Sequence, residues 1–226
     1  MVREPIRPYE GIEDAGVRLA LETSARVGVP CSAEAGTALA RFCRLFLEWN
    51  IRINLGGASS VDELIVRHVI DAFAAATFVR SGDHVLDVGS GGGLPAIPLA
   101  LLCPEATFEL VEPRAKRVAF LRTAVRELGL RARVAVTLGR IEDRSQALGS
   151  RPGSQDSPPA RWSLVMSRAT WAPVEWLARG LSLIESSGGR VMVFTTPEIA
   201  KALPENREEL LYAADRLVCV FSPPAG

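Results

Sequence analysis

The residues best suited to chemistry form a glycine-rich turn that follows a short apolar run at 84–88. Glycine allows tight turns and lets the backbone approach a ligand without a clash from a Cβ atom. When such a turn leads from a buried strand into a helix, it borders the ligand crevice of an open parallel sheet. The turn contains an aspartate, three glycines at alternate positions and a leucine: Asp87, Gly89, Gly91, Gly93 and Leu94.

Acidic residues follow the next two apolar runs along the chain. Glu112 comes directly after 107–111, where nucleoside-binding sheets carry a carboxylate for the ribose hydroxyls. Ile141 and Glu142 follow the third run and are placed to flank an adenine ring. The alternatives are structural: an acid at a helix N-terminus for Glu112 and a solvated turn acid for Glu142.

The spacing of the glycines separates two classes of nucleoside-binding enzyme. Nicotinamide and flavin enzymes use Gly-x-Gly-x-x-Gly, whose third glycine permits close helix packing. Here the spacing is Gly-x-Gly-x-Gly after Asp87, and Leu94 and Pro95 occupy the region of that third glycine. The pattern resembles the glycine loop of class I methyltransferases, and a nicotinamide enzyme is the alternative.

The elements that must position this turn alternate between strands and helices from residue 84 onward. Strands are predicted at 84–88, 107–111, 133–138, 162–167, 190–195 and 217–221, and helices at 94–102, 114–128, 173–185 and 204–211. This alternation predicts an α/β fold of the Rossmann-like type, with a mostly parallel, doubly wound sheet covered on both faces.

The first 82 residues have helical patterns instead and predict an N-terminal extension to the core at 83–226, within a single domain. Apolar residues at three-four spacing mark one buried helix face over 38–50. A second helix is predicted to begin at Ser60 with Glu63 as its capping partner, and to end at 81–83. The Ser-, Gly- and Pro-rich stretch at 144–161 is expected to be a flexible insertion loop.

Composition limits the classes of protein to which this chain can belong. The 226 residues have a formal net charge of zero, and neither a membrane-spanning stretch nor a secretory signal is visible. We therefore expect a cytoplasmic protein, a monomer, without a membrane partner. Four scattered cysteines and two histidines predict neither a disulfide framework nor a metal site. Over 114–144, nine basic residues oppose three acidic ones, which fits either a solvated helix face or an RNA-phosphate surface.

Six stretches together resemble the bacterial small-subunit ribosomal RNA guanine-N7 methyltransferases, also called the glucose-inhibited division protein B family. Two of them, the Trp-Asn helix end and the Leu-Pro-x-Ile-Pro-Leu continuation of the glycine loop, are far more specific than the loop itself. The stretches are Trp49-Asn50-x-x-Ile53-Asn54-Leu55, Val66-Arg67-His68-x-x-Asp71, the run from Asp87 to Leu99, Lys116-Arg117-Val118-x-Phe120-Leu121, Arg140-Ile141-Glu142 and Ser167-Arg168-Ala169.

The resemblance implies S-adenosylmethionine as the cofactor and N7 of one guanosine in the small-subunit RNA, bare or in the 30S particle, as the methyl acceptor. Guanine N7 carries an in-plane lone pair, so its methylation needs alignment rather than a general base. Arg168 is the candidate catalytic residue, able to hold the cofactor carboxylate, a phosphate or the guanine edge. A solvent-facing arginine at a strand end is the alternative. The cofactor contacts carried over from the family are Gly89, Leu94, Ile141, Glu142 and Arg168, with Glu112 at the ribose.

Candidate substrate contacts come from the helical extension. Asn54, Arg67 and His68 are the candidates, and helical spacing puts Arg67, His68 and Asp71 on one side of a helix. The alternative is a polar cluster that locks the helix to the core. The chain departs from the family at Gly56 and at Thr196, where the family has threonine and a lysine-glycine pair. These departures leave open another RNA target, a small-molecule target or a non-catalytic cofactor-binding protein.

Overall fold

The helical extension comes first in the chain. The computed structural model describes residues 10–141, 162–184 and 188–223, so the predicted loop at 144–161 lies outside the described residues. Two long helices are followed by a continuous helical stretch whose middle widens into a π-helical turn. The elements are α1 Glu10–Val27, α2 Ala33–Ile53, α3 Val61–Leu64, the π-turn Ile65–Val69 and α4 Ile70–Ala76.

The ends of these helices follow from local chemistry. Ser32 caps α2 by accepting a hydrogen bond from the Ala35 amide, and Ser60 caps α3 in the same way. The predicted capping box is only half formed, because the Glu63 carboxylate accepts from the Ser59 amide and hydroxyl rather than from Ser60. The helical stretch ends at Ala76, five residues before the predicted Ser81.

The α/β core begins at residue 84, as predicted. It contains seven strands and four helices within the described residues: β1 His84–Val88, α5 Ala96–Leu102, β2 Thr107–Glu112, α6 Ala115–Glu127, β3 Val134–Leu138, β4 Leu164–Ser167, α7 Pro173–Leu181, β5 Arg190–Thr195, α8 Pro197–Ala200, β6 Glu208–Ala213 and β7 Arg216–Phe221.

The strands form one sheet in the order β3-β2-β1-β4-β5-β7-β6. The first five are mutually parallel, and β7 runs antiparallel between β5 and β6. The chain changes direction of winding between β1 and β4, so the ends of these two strands form the switch point where ligands bind in such sheets. The predicted class I, Rossmann-like α/β fold is confirmed.

Apolar side chains cover both faces of the sheet. On one face the extension contributes Phe42, Phe46 and Phe73 to a core that includes Phe120 and Met192. The other face packs beneath α7 and the segment around α8, where Trp176 and Leu177 are buried against the sheet. Side chains of the extension therefore belong to the same hydrophobic core as those of the sheet.

The predicted helix at 204–211 is wrong, because its second half belongs to strand β6 of the β6–β7 hairpin and its first half is irregular. Leu210 and Tyr212 pack against the core while Leu211 between them is 57% exposed, a strand period of two. Pairing with β7 satisfies the backbone of β6, and this long-range partner is not visible in the local pattern. The helix predicted at 173–185 ends earlier, at Leu181, and the short helix α8 had not been predicted.

Candidate active site

The glycine loop continues the ladder between β1 and β2 and then turns sharply. The Gly89 and Ser90 amides donate to the Val111 carbonyl over 2.8 and 3.2 Å. Gly89, Gly91 and Gly93 all have positive φ angles, a conformation that other residues rarely adopt. A Cβ atom at Gly89 would lie 2.4 Å from Thr170 Oγ1. The backbone therefore favours glycine at the three positions expected from the sequence, and at Gly89 the space also excludes a Cβ atom.

A further glycine of the loop, which sequence reasoning missed, meets the helical extension. A Cβ atom at Gly92 would lie 2.5 Å from Phe46 Cε2, on α2. At Gly93 it would lie 2.7 Å from Ile97 Cγ1, on α5. The loop is therefore wedged between α2 and α5, and the half-buried Leu94 packs against the same core.

Glu112 joins the loop to the end of β2. The side chain is buried, its Oε2 accepts from the Gly91 amide over 2.9 Å, and its Oε1 accepts from the Arg114 amide over 2.9 Å. A carboxylate oxygen can accept a second hydrogen bond. Glu112 therefore fixes the loop while keeping acceptor capacity toward the space beside it.

Asp87 lies beneath the loop and not in the cleft beside it. It is buried, and its Oδ2 has no hydrogen-bond partner among the described residues. The pKa of Asp87 is raised to about 7, chiefly by burial and in part by the charge of Glu112, while a hydrogen bond from Ser90 and the charge of Arg168 act against the rise. Its protonation state is consequently sensitive to any charge that arrives at the loop.

A cleft of about 470 Å³ opens beside the loop at the carboxyl end of the sheet. Of the residues predicted to bind a cofactor, Gly89, Glu112 and Ile141 line it, whereas Glu142 lies outside the described residues. Four arginines give the rim positive charge, and the Trp171 indole stacks on Trp176 beside them. Among the described residues, the lining consists of Val88, Gly89, Val111, Glu112, Pro113, Arg114, Arg117, Gly139, Arg140, Ile141, Ala169, Thr170, Trp171 and Arg179.

Arg168 follows β4 and belongs to a polar cluster that we call the Asp71 cluster: Asp71, His68, Arg168, Tyr212 and Arg216. Arg168 Nε lies 2.7 Å from Asp71 Oδ2, and Arg168 Nη2 lies 2.9 Å from His68 Nδ1. The structure thus joins two of the predicted residues, Arg168 and His68. These contacts join the helical stretch to the segment that follows β4.

The Arg67 side chain does not take part in the Asp71 cluster. Its side chain is 61% exposed and pairs with Glu63 over 2.6 Å, while its backbone carbonyl accepts from Arg216. The expected alignment of Arg67 with His68 and Asp71 is therefore wrong for the side chains. The π-turn at Ile65–Val69 explains the difference, because a wider turn changes the angle between successive side chains.

His68 is neutral at physiological pH. Burial lowers its pKa to about 4, and the positive charges of Arg168, Arg216 and Arg67 add to that effect. A neutral ring can accept a hydrogen bond at Nδ1 when its proton is on Nε2. His68 therefore acts as an acceptor for Arg168 and not as a second cation.

Asn54 ends α2 in the left-handed conformation, with φ 50°, and its exposed backbone carbonyl accepts from Arg117 Nη2 over 3.3 Å. Asn50, which the sequence motif contained but to which no role had been assigned, organises the loop that follows. Its Oδ1 accepts from the Leu55 and Gly56 amides over 2.6 and 3.0 Å. The loop that holds Asn54 thus reaches the cleft through Arg117.

The cysteines have no reactive environment. Cys43 and Cys219 are buried, and burial raises the pKa of Cys43 to about 12 and that of Cys219 to about 11. Such thiols stay protonated at neutral pH and are poor nucleophiles. Over the described ranges, no three histidine, cysteine, aspartate or glutamate side chains come together to hold a metal ion, and no helix is long and apolar enough to cross a membrane.

Solved structures with the same architecture include two methyltransferases. The O-methyltransferase from Bacillus cereus in complex with SAH superposes with a TM-score of 0.56 at 15% identity, covering 92% of this chain and 98% of that one. TomG from Streptomyces achromogenes, an O-methyltransferase in complex with SAM, gives a TM-score of 0.53 at 16% identity, covering 92% and 97%. At this level of identity the likeness shows the fold.

Sequence comparison is more specific. The ribosomal RNA small subunit methyltransferase G of Mycolicibacterium gilvum is 34% identical over 173 residues, 76% of this chain and 71% of that protein. The protein of the same name from Chlorobaculum tepidum is 39% identical over 118 residues, a match that spans 54% of that relative. The family model described as rRNA small subunit methyltransferase G matches residues 36–216. The chain belongs to this family, GidB.

Proposed function

We propose that this chain is an S-adenosylmethionine-dependent methyltransferase that modifies N7 of a guanosine in small-subunit ribosomal RNA. The observation that carries the proposal is the hydrogen bond from the Gly91 amide, in the loop that follows β1 at the switch point, to Glu112 at the end of β2. It brings a glycine cradle and a ribose-binding carboxylate to one cleft. Family membership, the names of the relatives and the SAM and SAH of the two structural neighbours support it.

The residues present fit the cofactor. The loop at Gly89 leaves no room for a Cβ atom and lets the backbone meet the amino-acid end of the ligand. The remaining acceptor capacity of Glu112 suits the ribose hydroxyls, and Ile141 with Glu142 would flank the adenine. A cleft of about 470 Å³ also falls within the usual size of small-molecule sites.

The chemistry asks the protein for alignment. Bound S-adenosylmethionine supplies an electrophilic methyl group on a sulfonium, and guanine N7 offers its lone pair in the plane of the ring. A bond forms between N7 and the methyl carbon, the sulfur–methyl bond breaks, and the positive charge passes to the purine. No side chain has to remove a proton, so holding the base in line with the methyl group is the main contribution of the chain.

The RNA would approach along the positively charged rim of the cleft. Arg114, Arg117 and Arg140 line that rim and suit the RNA phosphates. Arg168, 23% exposed after β4, is proposed to contact the guanosine or the cofactor carboxylate. Asn54, His68 and the exposed Arg67 are proposed as substrate contacts on the helical side, and the partner is the small-subunit RNA or the 30S particle, in the cytoplasm.

The direct test is transfer of labelled methyl from S-adenosylmethionine to small subunits that lack the modification, followed by nucleoside mass spectrometry. We expect the label in 7-methylguanosine, and label in another nucleoside would contradict the base assignment. Binding to the RNA should weaken as salt concentration rises. Transfer to a small molecule without RNA labelling, or S-adenosylmethionine binding without any transfer, would contradict the RNA target or the activity.

Glu112→Gln tests the cofactor part separately. Loss of a charge-assisted acceptor should weaken S-adenosylhomocysteine binding by roughly ten- to a hundredfold in a calorimetric titration. Glu105→Gln, at an exposed position before β2, is the matched control and should bind like the unmodified chain. Equal affinity of both variants would contradict the ribose role, and binding of NAD in place of S-adenosylhomocysteine would contradict the cofactor assignment.

A further inference from the structure

Asp71, on α4, lies at the centre of the Asp71 cluster. It is buried, and its Oδ2 accepts from Arg168 Nε over 2.7 Å. Its Oδ1 accepts from the Tyr212 hydroxyl over 2.8 Å and from Arg216 Nη1 over 3.2 Å. One carboxylate of the helical extension therefore holds the segment after β4 and both strands of the β6–β7 hairpin.

These contacts are needed for the carboxylate to stay charged in the interior. A buried charge without partners costs several kcal/mol, and hydrogen-bonded arginines offset that cost. Burial raises the pKa of Asp71, and Arg168, Tyr212 and Arg216 act against the rise. The position of Asp71 is thus coupled to the positions of all three donors.

Arg168 directly precedes three residues that line the cleft, Ala169, Thr170 and Trp171, and we call the segment 168–171 the cleft wall. On its amino-terminal side, Ser167 Oγ donates to the Val88 carbonyl over 2.7 Å. Within the wall, Ala169 has a left-handed backbone with φ 58°, and Thr170 packs against Gly89 of the glycine loop. A change at Arg168 is therefore transmitted to the surface that borders the cofactor loop.

We propose that Asp71 is a positioning residue for methyl transfer: it sets the direction of the Arg168 guanidinium and the shape of the cleft wall, with Tyr212 and Arg216 making the hairpin part of that support. This inference rests on the proposed function. It assigns a role in the reaction to the β6–β7 hairpin, whose side chains do not line the cleft among the described residues.

The test compares Asp71→Asn and Tyr212→Phe with Glu209→Gln, a control on β6 whose carboxylate bonds Arg207 and not the Asp71 cluster. Asp71→Asn should lower kcat at least roughly tenfold, as expected when a charge-assisted hydrogen bond to a group acting in the transition state is lost. Tyr212→Phe, which removes one hydroxyl, should lower kcat by about threefold. The KM for S-adenosylmethionine should change less than kcat in both variants.

Two measurements separate positioning from general damage to the fold. Because Asp71 would act through Arg168, the double variant Asp71→Asn/Arg168→Ala should be no slower than Arg168→Ala alone. Hydrogen exchange should become faster in 168–171 in the folded Asp71→Asn and Tyr212→Phe proteins. Unchanged kcat and unchanged exchange in Asp71→Asn, or additive losses in the double variant, would overturn the proposal.

The same measurements distinguish this inference from the proposed function. If the unmodified chain transfers no methyl group to RNA, the proposed function fails. Hydrogen exchange in 168–171 then decides whether Asp71 positions the cleft wall, since it needs neither RNA nor turnover. Faster exchange in Asp71→Asn and Tyr212→Phe, with Glu209→Gln unchanged, would support the positioning role, and equal exchange in all variants would contradict it.

Discussion

An aspartate–arginine ion pair lies at each end of the parallel strands. At the amino end, Arg190 Nη2 contacts both oxygens of Asp83 over 2.8 and 2.6 Å. At the carboxyl end, Arg168 contacts Asp71 over 2.7 Å. The Arg190 side chain is 3% exposed, whereas that of Arg168 is 23% exposed. The ion pair at the amino end is therefore enclosed, whereas the pair at the carboxyl end is partly exposed to solvent.

The surroundings explain what each pair does. Arg190 also donates to the Phe78 carbonyl, and Asp83 accepts from the Arg80 amide and from Ser163 Oγ, so the amino-end pair is enclosed by backbone and side chains. The carboxyl-end pair lies beside a cleft and has a neutral histidine as its neighbour. The first pair serves stability, and for the second we propose an additional role beside the ligand.

The largest effect is expected at the enclosed end. Arg190→Ala leaves the Asp83 carboxylate buried without its charge partner, which typically costs about 3–5 kcal/mol of the free energy of unfolding. Denaturation by urea measures this loss. Arg126→Ala breaks an exposed pair with Glu127 and should cost no more than about 1 kcal/mol. Similar losses for the two variants would contradict the distinction between enclosed and exposed pairs.

A smaller effect is expected where the glycine loop meets the extension. Gly92→Ala places a Cβ atom against Phe46 and should cost about 1–3 kcal/mol through overpacking. It should also weaken S-adenosylhomocysteine binding, because the loop has to shift. Gly57→Ala, where a Cβ atom meets nothing within 4 Å, is the control for both measurements. Normal affinity in Gly92→Ala would show that the cradle does not depend on α2.

The smallest effect is expected in the pH dependence of stability, and it comes from His68, next to the carboxyl-end pair. The folded-state pKa of His68 is lowered to about 4 from 6.5, so folding favours the neutral ring. Its contribution to stability is intact above pH 6.5 and is lost as pH falls toward 4, where the ring must be charged in the fold. Unfolding of His68→Gln should therefore be less sensitive to acid in this window. Parallel pH profiles for both proteins would contradict the neutral His68.

Sequence reasoning succeeded where local pattern determines structure. Strand β1, the glycine loop and Glu112 follow each other within thirty residues, and their chemistry is written in residue types and spacing. Strand β6 was predicted as a helix, since its hydrogen bonds come from β7 and its alternation covers only a few residues. Local pattern predicts an element well when the partners that stabilise it are also local.

The candidate active site likewise combines residues that local pattern predicts with contacts that depend on the whole fold. Arg168 was expected at the end of β4, but its contact with Asp71 depends on a fold that brings α4 to the edge of the cleft. Tyr212 could not be placed in the cluster, because its segment had been expected near a helix end. The direction of the Arg67 side chain was predicted wrongly because of the π-turn at Ile65–Val69, which the residue types do not indicate.

The central claim is that the cleft beside the glycine loop holds S-adenosylmethionine through Glu112, and a crystal structure with S-adenosylhomocysteine tests it most directly. We expect the ribose hydroxyls within hydrogen-bonding distance of the Glu112 carboxylate and the amino-acid end against Gly89 and Gly91. A ligand bound elsewhere, or a Glu112 that turns away from the sugar, would contradict it.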